Sequence, residues 1–402
     1  MNAPQATAPG AFRDPPPFAL ETAGHALAFY PGGADRLQAL LDLIDGARQS
    51  LRLAFYIYAP DSTGERVRDA LVAAARRGVA VTLVLDDFGA TADAEFFAPL
   101  TDAGGRFCCF QPHWNTRYLI RNHQKLAIAD EALAMLGGFN IEDSYFATPQ
   151  DNGWTDLGFT IAGPVVAQLV AWFDVLDRWA TNPHARLRSI RRLVRDWRVG
   201  DGPVQLLLGG PTAGPRSGLS SWTQAISHAL KHGQRLDMVM AYFTPPPHLQ
   251  RRIEKIAGHG SARLVMAAKS DNAATIGASR ALYTKLLEAG TELWEYEASR
   301  LHTKLIVLDD TVWIGSANFD MRSLYINLEV MLCIHDAGLA QAARGLIDAY
   351  QPGSRRITLA DHRRQATWWN RLRWRASWFL VSVIDYSVSR RLNLGLGAGY
   401  VR

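Results

Sequence analysis

Hydrophobic positions change their period repeatedly along this chain, and each change predicts an element. Leu37, Leu40, Leu41 and Ile44 fall at i, i+3, i+4 and i+7, one face of a helix over Leu37–Gln49. Leu51–Tyr58 is apolar enough for a strand, Gly64–Arg77 is helical, and Val79–Leu85 is a buried strand ending at Asp86-Asp87. A helix over Phe96–Ala103 follows. Next come a strand over Lys125–Ala129, a turn at Asp130-Glu131, a return strand into Gly137-Gly138, and an amphipathic helix over Val165–Trp179. The order then recurs: helix Ser221–Lys231, strand Leu236–Phe243, helix Leu249–Ala257, strand Ala262–Ala267 and helix Ala278–Ala289. A last strand, His302–Leu308, turns at Asp309-Asp310 and returns to Gly315. Strands alternating with helices predict an α/β sandwich around a mostly buried sheet. A unit of about 150 residues is too long for a solenoid repeat, so the pattern points to a duplicated domain. The expected division is a disordered tail over 1–20, a first lobe over 21–181, a basic linker over 182–203, a second lobe over 204–350 and a basic aromatic tail over 351–402.

The duplication carries chemistry. His123-Gln124-Lys125, then Asp130, leads to Gly137-Gly138-Phe139-Asn140. His302-Thr303-Lys304, then Asp309, leads to Gly315-Ser316-Ala317-Asn318, with His302 179 positions after His123. Only six of the 43 basic Lys and Arg residues are Lys, yet two of the six follow a His at the same spacing. His and Lys at i and i+2 share one face of a strand, about 6.6 Å apart, so both can meet one phosphate. A neutral imidazole can attack phosphorus, and a second can protonate the leaving oxygen and then deprotonate the acceptor. Lys125, Lys304, Asn140, Asn318 and Ser316 are the candidates for holding the phosphate oxygens. The small residues before each Asn allow a close backbone approach. Each His needs a partner to set its tautomer. Glu329, eleven positions after Asn318, is the candidate in the second half, and Asp156 is the corresponding acid in the first. Asp130 and Asp309 stand where strands enter turns and read as structural braces. No metal or other cofactor is expected, since lysine supplies positive charge and no Cys/His spacing or phosphate-binding glycine loop occurs.

Composition narrows the setting. At 48% hydrophobic residues the chain can bury ordinary cores, and a formal charge of +5 suits phosphate-bearing partners without demanding them. Cys108, Cys109 and Cys333 lack metal spacing and are odd in number, which reads as buried free thiols in a reducing compartment. The Ala- and Pro-rich stretch from Met1 to Pro17 has no signal-peptide pattern. No apolar run approaches the ~20 residues a membrane span needs, so any membrane contact is expected to be peripheral. The linker carries Arg186, Arg188, Arg191, Arg192, Arg195 and Arg198, which fits a solvated face or a surface for anionic headgroups. In the tail, Trp368, Trp369, Trp374, Trp378 and Phe379 interleave with Arg371, Arg373 and Arg375. That mixture suits the headgroup zone of a membrane, and the competing reading packs the Trp residues on the body beneath Arg stems.

These residues resemble the phospholipase D superfamily, whose signature is a duplicated His-x-Lys-x4-Asp. The match runs from about Leu37 to Asp348. Within it, the run Gly315-Ser316-Ala317-Asn318-Phe319-Asp320-Met321-Arg322-Ser323, with Asn327 and Glu329, is similar to the bacterial cardiolipin synthase branch. So is Phe55-Tyr56-Ile57-Tyr58 with Asp61 and Gly64. The resemblance implies two tandem α/β/α sandwich lobes related by a pseudo-two-fold axis, with both motifs, and Tyr56 and Tyr242, brought together at their interface. It implies metal-independent transfer of a phosphatidyl group through a phosphohistidine. Phospholipids would be the substrates and an anionic membrane surface the partner, on the cytoplasmic face of a bacterial inner membrane, with no nucleic acid. Gln124 stands where a basic residue is common and is expected to alter headgroup preference. The competing readings are a hydrolytic phospholipase D, a nucleic-acid phosphodiesterase, or, in another class, a non-catalytic membrane- or polyanion-binding module. Intact His, Lys and Asn in both copies argue against the last. Donor, acceptor, oligomeric state and the identity of the nucleophilic His stay open.

Overall fold

Strands with no polar position belong between two apolar layers, because neighbouring side chains point to opposite faces. In the computed structural model, which describes residues 12–111, 120–211, 219–270 and 273–384, the motif strands do this. Leu126 and Ile128 face one core while Ala127 and Ala129 face another. Leu305 and Val307 share the first core, and Ile306 and Leu308 face a third. The shared core joins the lobes: Phe159, Trp172 and Leu176 of the first pack in one cluster with Leu208, Val330 and Ile347 of the second. Helices Val165–Ala180 and Ala337–Ala349 supply much of it. Helices Gly33–Gly46 and Ser62–Arg76 cover the far side of the first sheet, and Ser221–His232 and Pro247–His259 that of the second.

Both sheets have eight strands. The first runs, in spatial order, Phe18–Thr22, His25–Tyr30, Gly158–Ala162, Leu133–Gly137, Leu126–Ala129, Ser50–Phe55, Ala80–Asp86, Arg106–Phe110. The second runs Val204–Gly209, Glu329–His335, Thr311–Gly315, Lys304–Leu308, Arg235–Met240, Ser261–Ala267, Glu292–Tyr296, Ser354–Ile357. Leaving out Phe18–Thr22 and Ser354–Ile357, the two orders and the parallel or antiparallel sense of every pairing coincide. The motif aspartates anchor the hairpins. Asp130 accepts backbone N–H groups from Arg48, Gln49 and Ser50 at 2.7–2.9 Å, and Asp309 accepts from Gln234 and Arg235 at 3.1 and 2.9 Å.

Several boundaries differ from expectation. The tail ends before residue 20, because Phe12 is buried against Tyr296 and the first strand begins at Phe18; residues 1–11 lie outside the described residues. The second sheet extends past residue 350 to the edge strand Ser354–Ile357. The basic linker contains a helix, Leu187–Arg195, whose Ile190 and Val194 enter the shared core and whose Arg191 is buried. The helix expected over Ala278–Ala289 is two, Ala273–Arg280 and Tyr283–Glu288; with no Gly or Pro between them, composition alone does not mark the break. Cys108 and Cys109 are only half-buried, while Cys333 is buried; all three are unpaired.

Candidate active site

The segment preceding each motif strand crosses to the other lobe. Arg300–Leu301 pairs with Trp154–Thr155, and Asn122 bridges to Leu328. The His302 N–H donates to Thr155 O at 2.8 Å, and the His123 N–H to Leu328 O at 3.0 Å. The residue after each of these carbonyls is an acid. His302 Nδ1 lies 2.8 Å from Asp156 Oδ2, and His123 Nδ1 lies 3.0 Å from Glu329 Oε1. Each histidine is therefore oriented by the carboxylate of the opposite lobe, where sequence suggested one acid within each half. With Nδ1–H given to the carboxylate, Nε2 of a neutral ring keeps the lone pair that chemistry needs.

Backbone geometry holds the acids alike, and side chains hold them differently. The Gly138 N–H donates to Leu157 O and the Ser316 N–H to Val330 O, the carbonyls just after Asp156 and Glu329. A Cβ on Gly138 would lie 2.4 Å from Asp156 Oδ1, so a side chain there would displace the acid. Ser316, expected among the phosphate binders, has both hydroxyl functions engaged instead: it donates to Glu329 Oε2 at 2.5 Å and accepts from the Val330 N–H at 3.0 Å. It positions the acid. Asn140 Oδ1 accepts from the Ile57 N–H at 3.1 Å, and both motif asparagines line the cleft. Lys125 and Lys304 lie buried beneath the histidines. The Lys125 ammonium donates to His123 O at 2.6 Å, and that of Lys304 donates to His302 O.

Burial sets the electrostatics. Burial pulls His302 down to about 3, helped by the Lys304 charge against the pull of Asp156. Burial and then Lys125 pull His123 well below the ordinary imidazole value. Lys125 itself falls to about 7 through burial. The acids part company. Burial pushes Glu329 up to about 8 despite Lys125 and the Ser316 hydroxyl. Burial also pushes on Asp156, but His302, Lys304 and Arg36 outweigh it and hold this carboxyl below the usual range. Near neutral pH the His123–Glu329 pair thus retains a proton, while Asp156 is ionised.

The two histidines open into one cleft of about 720 Å³, with Tyr56 and Tyr242 also in its lining. The Tyr56 ring stands 5.0 Å from the His123 ring, and Tyr145, Trp154 and Tyr242 lie 5.2, 5.3 and 6.3 Å from His302. Gln124 does not reach the cleft. Just ahead of the strand Leu126–Ala129, its side chain turns into the shared core, where its Oε1 accepts from Trp172 Nε1 at 2.8 Å, so the expected influence on headgroup choice has no contact to act through. Three functional side chains escaped the sequence reading. Arg36, fully buried, donates to Asp156 O at 2.7 Å and to Tyr145 O, tying an acid and an aromatic wall together. Its signal was a lone Arg on an apolar helix face. Arg121 and Arg322 line the cleft, and a recurring Arg-x-His, at Arg121 and Arg300, was the clue to the first.

Two segments of the chain, residues 40–176 and 223–349, match the family model described as "Cardiolipin synthase, PLD-like domain". The chain belongs to this family. It is 30% identical over 364 residues to the Major cardiolipin synthase ClsA of Bacillus subtilis (strain 168), covering 87% of this chain and 74% of that one. It is 28% identical over 322 residues to Cardiolipin synthase 1 of Bacillus cereus, covering 76% of this chain and 62% of that one. Phosphatidylserine synthase of Haemophilus influenzae Rd KW20 shares the fold at a TM-score of 0.70 and 13% identity, over 94% of this chain and 97% of that one.

Proposed function

We propose that this phosphatidyltransferase of the cardiolipin synthase family moves a phosphatidyl group from phosphatidylglycerol, or another phospholipid, to phosphatidylglycerol through a phosphohistidine. The observation that carries the reading is the pair of crossed His–carboxylate contacts facing one cleft. One neutral imidazole forms an N–P bond with the donor phosphorus while the P–O bond to the leaving alcohol breaks, and the second ring gives that oxygen its proton. The acceptor hydroxyl then yields its proton to the same second ring, its oxygen bonds phosphorus, and the P–N bond breaks. Lys125, Lys304, Asn140 and Asn318 offset charge on the non-bridging oxygens.

The enzyme works as a peripheral protein on the anionic, cytoplasmic face of the membrane. Helix Trp368–Trp378 packs on Ala273–Arg280 and leaves Trp368, Trp369 and Leu372 exposed, next to exposed Arg371, Arg373 and Arg375; Phe379 and Leu380, just beyond it, are exposed too. Among the described residues no helix is long and apolar enough to cross a membrane. The test is turnover of labelled phosphatidylglycerol in detergent, with and without EDTA. Cardiolipin and glycerol are expected in both. Phosphatidic acid as the only lipid product, again with glycerol, would make the enzyme a hydrolase, and loss of activity on chelation would overturn the mechanism.

A further inference from the structure

The cleft takes its lining from the two segments that match the family model, with one addition. Leu380 and Val381 line it too, and both lie beyond residue 349, where the second matching segment ends. They belong to the π-helical turn Phe379–Ile384, which continues helix Trp368–Trp378. Close packing seats this tail. Trp374 is buried and stacks on His362 at 5.1 Å. A Cβ on Gly277 would lie 2.8 Å from Ser377 Oγ, so the tail helix and helix Ala273–Arg280 approach with no side chain between them at that point. Helix Ala273–Arg280 is in turn tied to the site. Its Thr275 lines the cleft, and its Ser279 hydroxyl donates to Phe243 O at 2.9 Å. Phe243–Thr244 pairs with Phe319–Asp320, directly after the motif residue Asn318. Packing therefore sets where Leu380 and Val381 stand relative to the reacting groups.

This wall is apolar and uncovered: Leu380 is 54% exposed, and the fold leaves it that way beside a cleft of polar and charged groups. A phospholipid's phosphate is one ester oxygen away from its glycerol, and both acyl chains start from that glycerol. With the phosphorus at the histidines, the first methylenes of the chains leave the cleft along one of its walls. The tail is the wall that leads to a membrane face, because the same helix carries exposed Trp368, Trp369 and Leu372. We infer that Leu380 and Val381 form an acyl subsite, which covers the proximal methylenes of the donor lipid and selects diacyl lipids over phosphodiesters with shorter chains. Burial of apolar surface on both partners supplies the preference. The inference rests on the transferase reading above.

The test compares two soluble donors, dibutyroyl and dihexanoyl phosphatidylglycerol, each kept monomeric below its micelle-forming concentration so that attachment to a membrane does not enter. Glycerol release is followed, and the ratio of the two kcat/KM values is read for wild type, Leu380→Asn/Val381→Thr and Leu380→Met. The double variant keeps the size of both side chains and makes them polar. Leu380 is exposed and Val381 partly so, so neither variant opens the core. Wild type is expected to favour the dihexanoyl lipid about tenfold, the scale of burying two of its four extra methylenes. The preference should fall about threefold or more in the double variant and stay near wild type in Leu380→Met, which remains apolar. A preference unchanged in the double variant, whatever happens to total turnover, overturns the subsite and leaves the transferase reading intact, as does a wild type with no preference. A wild type that releases glycerol from neither lipid overturns both.

Discussion

His302 is enclosed and His123 is not. Among the described residues three aromatic rings surround His302, whose side chain is 5% exposed, whereas Tyr56 is the one ring against His123, which is 11% exposed and shares the cleft with Arg121 and Arg322. Their acids differ in the same direction. Asp156 is short, stands against Gly138 and is held ionised; Glu329 is one methylene longer, takes a Ser316 hydroxyl and is pushed up to about 8. The backbone around both repeats faithfully, down to the carbonyl each histidine N–H meets. Phosphoryl transfer through two histidines needs one ring neutral and the other protonated at one pH. Divergent surroundings give the two rings different proton affinities, which fixes which of them starts the reaction neutral rather than leaving the choice to their mutual repulsion.

The largest expected effect would break the comparison outright. His123→Ala and His302→Ala should each lose at least ~10²-fold in phosphatidylglycerol turnover, the scale of losing acid–base catalysis alone. A single variant with near-wild-type turnover would mean that the two rings do not share a reaction. The acids sharpen the contrast. Asp156→Asn removes a charge that orients and steadies a buried ring, and should cost roughly a hundredfold in kcat. Glu329→Gln replaces a carboxyl that already holds its proton near neutrality, and should cost roughly tenfold by the same reasoning. Equal losses would erase the distinction drawn between the half-sites.

The pH profile tests the same asymmetry without mutation. Both rings bind protons less readily than an ordinary imidazole of 6.5, so the neutral nucleophile persists into acid and the acidic limb should fall below pH 6.5. As pH rises through about 8, the His123–Glu329 pair gives up its proton and the general acid is lost, so the rate should fall there. In Glu329→Gln that alkaline limb should move; a limb unchanged in the variant would assign the proton elsewhere.

The smallest effect concerns a feature only the second lobe carries, the helix Trp368–Trp378. Trp374 is buried and stacks on His362 at 5.1 Å, so removing the whole tail would uncover the body. Point variants are cleaner. Trp368 and Trp369 are each 63% exposed, and Trp368→Ala/Trp369→Ala should weaken co-sedimentation with anionic liposomes several-fold, including at high salt. Arg371, Arg373 and Arg375 should add up to roughly 3 kcal/mol of attraction to the liposomes, the part that salt screens away. Binding equal to wild type across the salt series would remove this helix from the membrane face.

The sequence by itself determined the duplicated α/β scaffold, the histidines and lysines, and the aspartates at the turns. All of these depend on local rules: the period of apolar residues, the alternation along a strand, and spacing within a few residues. The contact of Gln124 with Trp172, which overturns its expected influence on headgroup choice, needed the fold. Arg36 and Arg121 each carried a faint local signal, a lone Arg on an apolar helix face and a recurring Arg-x-His, that is easily passed over in a chain rich in arginine, and Arg322 carried none. Only the tertiary structure decided which acid serves which histidine. Asp156 and Glu329 were both recognised, yet their partners lie 146 and 206 positions away, through pairings that cross between lobes. Only the tertiary structure decided, too, that Arg121 and Arg322 line the cleft while Arg300 turns to the Trp154 ring. Both facts arise where two separate stretches of chain are packed together, and burial there assigns proton affinities and charge that no local pattern carries.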